Sequence, residues 1–179
     1  MLFRSGDGKR ISWHQDASYW PITPSKVVSV WLAIDDVDVG NAAMRVIPGS
    51  HLHPQVPFAE STPEEQNVLN QTVPNPEDYG DSPISLELAA GEASLHSDWI
   101  LHSSEANESS RRRCGLAMRF LSADVRAYNG WNGNSVICRG TDPSGHWAHH
   151  ERPQGEFVPT KPGAEELQSH EWARKAQGQ

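Results

Sequence analysis

The chain has 179 residues, of which 36% are hydrophobic, with 15 basic against 23 acidic residues and a formal net charge of -8. That length suits one domain with a sizeable core. The acidic balance argues against general nucleic-acid binding, and the apolar runs fall far short of the roughly 20 residues a membrane-spanning helix needs. Residues 1–10 are polar and Gly-rich and predict a frayed start or loop. They lack the apolar stretch of a signal peptide, so a cytoplasmic location is expected. Residues 11–16 predict a short strand, and Pro21 and Pro24 bracket a loop. Residues 27–35, Val-Val-Ser-Val-Trp-Leu-Ala-Ile-Asp, are the strongest strand candidate, being β-branched, aromatic and almost wholly apolar. Residues 43–47 predict another strand, ended by Pro48-Gly49-Ser50-His51. The stretch 52–82 is Pro-rich, with one short helix expected at 63–70, where Thr62 is a candidate N-cap and Pro63 the first helical residue. Residues 84–88 resume a strand. Residues 93–96 and 99–103 are expected to pair with each other around a Ser97-Asp98 turn. Residues 112–122 give the last long strand. Beyond Tyr128 the chain is loop-like, with a helix expected at 165–177. Cys114 and Cys138 are expected to be reduced, and no CxxC pair supports structural zinc. Many short strands separated by turns, with little helix, predict an all-β double-sheet jelly roll.

The chemistry concentrates at Trp13-His14-Gln15-Asp16. On an extended strand, residues two apart project to one face, so a His-X-Asp step sets an imidazole beside a carboxylate. A polar strand edge would carry the same pair. Here, however, Trp13, Tyr19 and Trp20 surround it, and a carboxylate among aromatics needs a partner or a metal to offset its desolvation. One distant histidine completes a facial triad, which leaves positions open on a ferrous ion. His102, in Trp-Ile-Leu-His-Ser-Ser, is the candidate third ligand. His96-Ser97-Asp98 is a rival His-X-Asp, disfavoured because its Ser-Asp step is expected in a turn. Arg113 opens the strand 112–122, and its planar fork suits a dicarboxylate; Arg111, Arg112 and Arg119 are competitors for that role. Ser104 is placed to add a hydroxyl to the same carboxylate. His146, His149 and His150 sit in the loop and are read as exposed polar residues. Gln15, Tyr19, Trp20 and Trp131 are substrate-pocket candidates, and with Trp147 they suggest an apolar or ring-bearing small molecule.

Four ordered blocks between residues 11 and 125 carry a resemblance. They are Trp-His-Gln-Asp-Ala-Ser-Tyr-Trp-Pro, then Ser-Val-Trp-Leu-Ala-Ile-Asp-Asp, then Met-Arg-Val-Ile-Pro-Gly-Ser-His, then Leu-His-Ser-Ser-Glu-Ala-Asn. Together they resemble the phytanoyl-CoA dioxygenase family. The resemblance implies a double-stranded β-helix, Fe(II), 2-oxoglutarate as co-substrate and O2. It makes His14, Asp16 and His102 the iron ligands, Arg113 the holder of the distal carboxylate of 2-oxoglutarate, and Ser104 the nearby hydroxyl. It implies hydroxylation of a small organic substrate with release of succinate and CO2. The carboxylate of Asp16 fits that outcome, because related halogenases put a small residue there to admit halide.

The chain departs from the family pattern in three places. Val39-Gly40-Asn41-Ala42 stands where the family shows Asp/Glu-Asn-Gly, and His102-Ser103-Ser104 replaces His-Gly-Ser. Only 13 residues precede the His-X-Asp step, where family members carry a long segment. A fold lacking its N-terminal part is therefore expected, organised as a single domain over 1–179 with a core at 11–125 and a loop-rich extension at 126–179. The competing reading is an inactive or truncated jelly-roll binding domain that retains the motif. The sequence does not specify the substrate or the oligomeric state.

Overall fold

The computed structural model describes residues 2–3, 8–133 and 135–152. Its strands are β1 (Leu2–Phe3), β2 (Ile11–His14), β3 (Ile22–Thr23), β4 (Val27–Ala33), β5 (Arg45–Val46), β6 (Ala59–Glu60), β7 (Gln71–Thr72), β8 (Ile84–Ser85), β9 (Ala93–Ser97), β10 (His102–Ser104), β11 (Arg113–Leu121) and β12 (Arg126–Ala127). Two four-stranded sheets, β1-β11-β4-β9 and β2-β10-β5-β8, form the jelly roll, and β3-β12 and β6-β7 add small ribbons. The pairs of both main sheets are antiparallel. Helical structure among the described residues is confined to short 3-10 turns, so none is long and apolar enough to cross a membrane.

Strand β4 organises the larger sheet. Val27, Ser29, Trp31 and Ala33 point inward and are buried, while Val28 on the other face is exposed. This is the period-two pattern of a strand with one covered face. Seven residue pairs tie β4 to β11, from Gly115↔Ala33 to Leu121↔Val27, and five tie it to β9. Trp31 and Ala33 pack with Val37, Ala43 and Met44 in one core cluster; Ile47, Val56, Val73 and Leu101 form a second.

Several elements differ from the sequence expectation. Leu2–Phe3 pair with Arg113–Cys114 at the edge of the larger sheet, so the start of the chain is not all loop. The first strand ends at His14, and Asp16 opens a 3-10 turn over Asp16–Tyr19. Residues 93–96 and 99–103 do not form a hairpin. Strand β9 joins β4 in one sheet and β10 joins β2 and β5 in the other, with residues 98–100 as the crossing. The helix expected at 63–70 is a single turn, Pro63–Glu65. Gln66 adopts a left-handed conformation (φ 50°), and the Asn67 side chain accepts from the amides of Ser12 and Leu69, which fixes the chain as loop. The helix expected at 165–177 lies outside the described residues. Both cysteines are free.

Candidate metal centre

The register of β2 against β10 sets His14 directly opposite His102. Directly opposed side chains on an antiparallel pair are near neighbours, and the two imidazole centroids lie 4.1 Å apart. Each ring is oriented in the same way. His14 Nδ1 is 2.9 Å from the carbonyl of Ser12, and His102 Nδ1 is 3.0 Å from the carbonyl of Ile100. A carbonyl can only accept, so both Nδ1 atoms carry the proton and both Nε2 lone pairs face the cavity, as a metal site requires.

Asp16 reaches the same point by a different route from the strand geometry expected. Gln15 is still extended (φ -107°, ψ 129°), after which the chain turns. The amide of Ala17 donates to the carbonyl of Asp98 at 3.0 Å, fastening the turn to the crossing between the sheets. Asp16 Oδ1 then lies 3.5 Å from His14 Nε2 and 3.7 Å from His102 Nε2. One ligand atom from each of the three residues falls within 4.8 Å of the others, and all three residues are buried. Donors that share one ion through bonds of about 2.1 Å sit roughly 3 Å apart, so the Asp16 carboxylate would have to approach each imidazole nitrogen by less than an ångström to share an ion with it. Two nitrogens and a carboxylate on one side of an ion are the 2-His-1-carboxylate arrangement suited to non-haem iron.

Charge at the centre is held from the opposite sheet. Arg119 on β11 donates to Asp16 Oδ2 at 3.3 Å, and Ser29 Oγ on β4 is 3.5 Å from the same oxygen. Burial works against the Asp16 carboxylate, but its contact with His14, the positive charge that His102 and His14 take on in acid, and Arg119 together outweigh burial and hold its pKa below the ordinary value. Burial, followed by the neighbouring His14, pushes His102 down to about 3, so its ring is neutral at physiological pH.

Among the neighbouring arginines, only Arg113 turns inward. Arg111 pairs with Asp38 and Arg112 with Asp35 on the exposed surface. Arg113 is 3% exposed, donates to Ser104 Oγ at 2.9 Å and lies over the Trp31 ring, 5.2 Å from its centroid. Ser104 Oγ in turn donates to the Ala42 carbonyl at 3.0 Å. Burial lowers the Arg113 pKa to about 10, which leaves it charged at neutral pH. Gly115 makes this stack possible, since a Cβ there would meet the Trp31 ring at 2.1 Å. Arg113, Ser104 and the three candidate ligands line one cavity of about 240 Å³.

Tyr19 and Trp20 line that cavity, and Tyr19 packs edge-on to His14, with ring centroids 6.1 Å apart. Gln15 does not line it, which corrects the sequence expectation. Its amide nitrogen donates to the carbonyls of His53 and Trp99, and its oxygen accepts from the amide of Val56, so all of its polar reach is spent inside the protein. Trp131 lies on a neighbouring cleft instead, with Trp20 and Trp147. His96 lies on strand β9, as expected for residues 93–96, with Ser97 still in the strand and Asp98 in the turn that follows, and its ring is 5.2 Å from that of His102. It lines the cavity but is not among the three that close on a common point. Sequence reasoning missed the lining residues Trp31 and Ser103. Period-two geometry along residues 27–33 puts Trp31 on the face of Ser29, but an almost wholly apolar run does not mark which face turns inward.

A family model described as phytanoyl-CoA dioxygenase matches residues 1–115. The chain belongs to the phytanoyl-CoA dioxygenase family. It is 28% identical over 116 residues to the peroxisomal phytanoyl-CoA dioxygenase of Rattus norvegicus, covering 63% of this chain and 34% of that protein. It is 27% identical over 126 residues to a probable alpha-ketoglutarate-dependent hypophosphite dioxygenase of Stutzerimonas stutzeri, covering 69% and 43%. The chain thus spans about a third to two fifths of the length of these curated relatives. Among solved structures, the non-heme monooxygenase ThoJ in its apo form superposes with a TM-score of 0.71 at 23% identity, over 98% of this chain and 63% of that one. EvdO2 from Micromonospora carbonacea var. aurantiaca, complexed with 2-oxoglutarate, superposes with a TM-score of 0.58 at 22% identity, over 72% and 51%. These likenesses support the fold.

Proposed function

We propose that the protein is a non-haem iron, 2-oxoglutarate-dependent dioxygenase that hydroxylates a small organic substrate. The observation that carries this reading is the convergence of His14 Nε2, His102 Nε2 and Asp16 Oδ1 in a cavity that also holds the buried cation Arg113. Fe(II) on the three ligands would supply O2 activation coupled to decarboxylation of 2-oxoglutarate to succinate and CO2. The protein's own residues orient and select. The carbonyls of Ser12 and Ile100 fix the two imidazole tautomers. Arg113, steadied by Trp31 and Ser104, would bind the distal carboxylate of the co-substrate. Arg119 would keep the non-ligating oxygen of Asp16 from swinging onto the metal. A carboxylate at position 16 favours hydroxylation over halogenation, because it fills the place a halide would need.

The test is succinate release by the iron-loaded protein across a panel of small metabolites. The expected result is a low background without substrate, stimulated by one chemical class. A folded, iron-loaded protein that forms no succinate from 2-oxoglutarate under any condition would leave the inactive binding domain as the better reading.

A further inference from the structure

Arg119 lines the metal cavity and also the cleft beside it. Its guanidinium lies over the Trp20 ring, 5.4 Å from the centroid, and its side chain is 41% exposed. Among the described residues it donates one hydrogen bond, the 3.3 Å contact to Asp16 Oδ2. A guanidinium has five N–H donors, so its outer edge can bind a further acceptor. The neighbouring cleft holds about 380 Å³ and is walled by Trp20, Trp131, Trp147, Ile22 and Leu121. The loop that supplies Trp131 and Trp147 is fastened by its own hydrogen bonds. Trp147 Nε1 donates to the carbonyl of Val125 at 3.0 Å, and His149 bridges Ser135 and Asp142.

Size decides how the two spaces divide. At about 240 Å³ the metal cavity falls below the usual range for a ligand site, and a dicarboxylate would take much of it. The cleft falls within that range, and its indoles offer flat apolar faces. We propose that this cleft is the substrate site, and that it takes an organic anion with a flat apolar body, the body between Trp20, Trp131 and Trp147 and the carboxylate or equivalent group on Arg119. The proposal deepens the oxygenase reading and rests on it only for the word substrate. It gives Arg119 two duties, steadying Asp16 on one side and recognising charge on the other.

Calorimetric titration with indole-3-acetate and with its neutral analogue indole-3-acetamide tests this, on the full chain saturated with 2-oxoglutarate and manganous ion to occupy Arg113. The acetate should bind about 10-fold tighter than the amide, the scale of one charge-assisted contact. Arg119→Gln should abolish that preference with a melting curve like wild type. Trp131→Ala should weaken both ligands alike. Arg113→Ala should leave the preference intact. No binding of either probe, equal binding of both to wild type, or a preference that survives Arg119→Gln would overturn the proposal. Repeating the titration after chelation separates the two readings. A preference that persists after chelation keeps the cleft independent of the metal, and the oxygenase reading falls only if the untreated protein shows the preference yet binds neither manganous ion nor 2-oxoglutarate.

Discussion

Gln15 shows how one residue can look functional in sequence and be structural in three dimensions. It sits between two candidate ligands, yet it ties its own turn to two separate segments, one through His53 and Val56 and the other through Trp99. Gln15→Ala would leave a buried amide and two carbonyls short of a partner, at about 1–3 kcal/mol for each group left unsatisfied. The expected outcome is a protein destabilised by about 3 kcal/mol in urea unfolding, with weakened metal binding because Asp16 loses its anchor. A stability loss under about 0.5 kcal/mol would contradict that role. Arg113 makes the opposite case, a residue buried for what it can bind. Arg113→Ala is expected to weaken 2-oxoglutarate binding by about 2–5 kcal/mol, the cost of removing one partner of a buried charged pair. Arg111→Ala removes only an exposed pair with Asp38 and should leave co-substrate affinity unchanged. Titration of both variants with 2-oxoglutarate measures the difference.

At the level of elements, β11 and β4 carry Arg113 and Trp31 on the side of the cavity proposed for the co-substrate, and their fit depends on Gly115. A methyl group there would collide with the buried Trp31 ring and displace the surface under Arg113. Gly115→Ala is expected to cost about 1–3 kcal/mol of stability by overpacking and to raise the apparent KM for 2-oxoglutarate. An unchanged KM and unfolding midpoint would show that the ring has room to move. The family departure at residues 39–42 is also local. Asn41 keeps a buried role, donating to the carbonyl of Asp36 and accepting from the amide of Asp38. Ala42, in the place of the family glycine, has φ 68°. Ala42→Gly should relieve that strain and stabilise the protein by up to about 1 kcal/mol, read as a higher melting temperature. A lower one would mean that the buried methyl matters more. Strand β4 was legible because residues 27–33 are a β-branched, aromatic and almost wholly apolar run, and β11 because residues 112–122 alternate at their centre. The crossing at residues 98–100 was not. Adjacent short strands suggest a hairpin, and only the burial of Asp98, with its carboxylate held by Ser25 and Ser97, reveals a strap between sheets.

For the whole molecule, the two sheets meet around a cavity to which both contribute. The β2-β10 pair brings the two histidines, β11 brings Arg113 and Arg119, and the turn after β2 brings Asp16. The candidate ligands were legible in the sequence because residue type and spacing carry that information. The double role of Arg119 and the separate cleft were not, because they depend on which sheet β11 joins and where residues 131–147 pack. We expect His14, Asp16 and His102 to hold iron while Arg113 receives 2-oxoglutarate. Anaerobic addition of Fe(II) and then 2-oxoglutarate, followed by visible absorbance, tests it most directly. A weak charge-transfer band is expected in wild type and in His96→Ala. The band should be absent in His14→Ala, Asp16→Ala and His102→Ala, and should appear only at raised 2-oxoglutarate in Arg113→Ala. A band that survives loss of any of the three ligands, or vanishes in a folded His96→Ala, would contradict it.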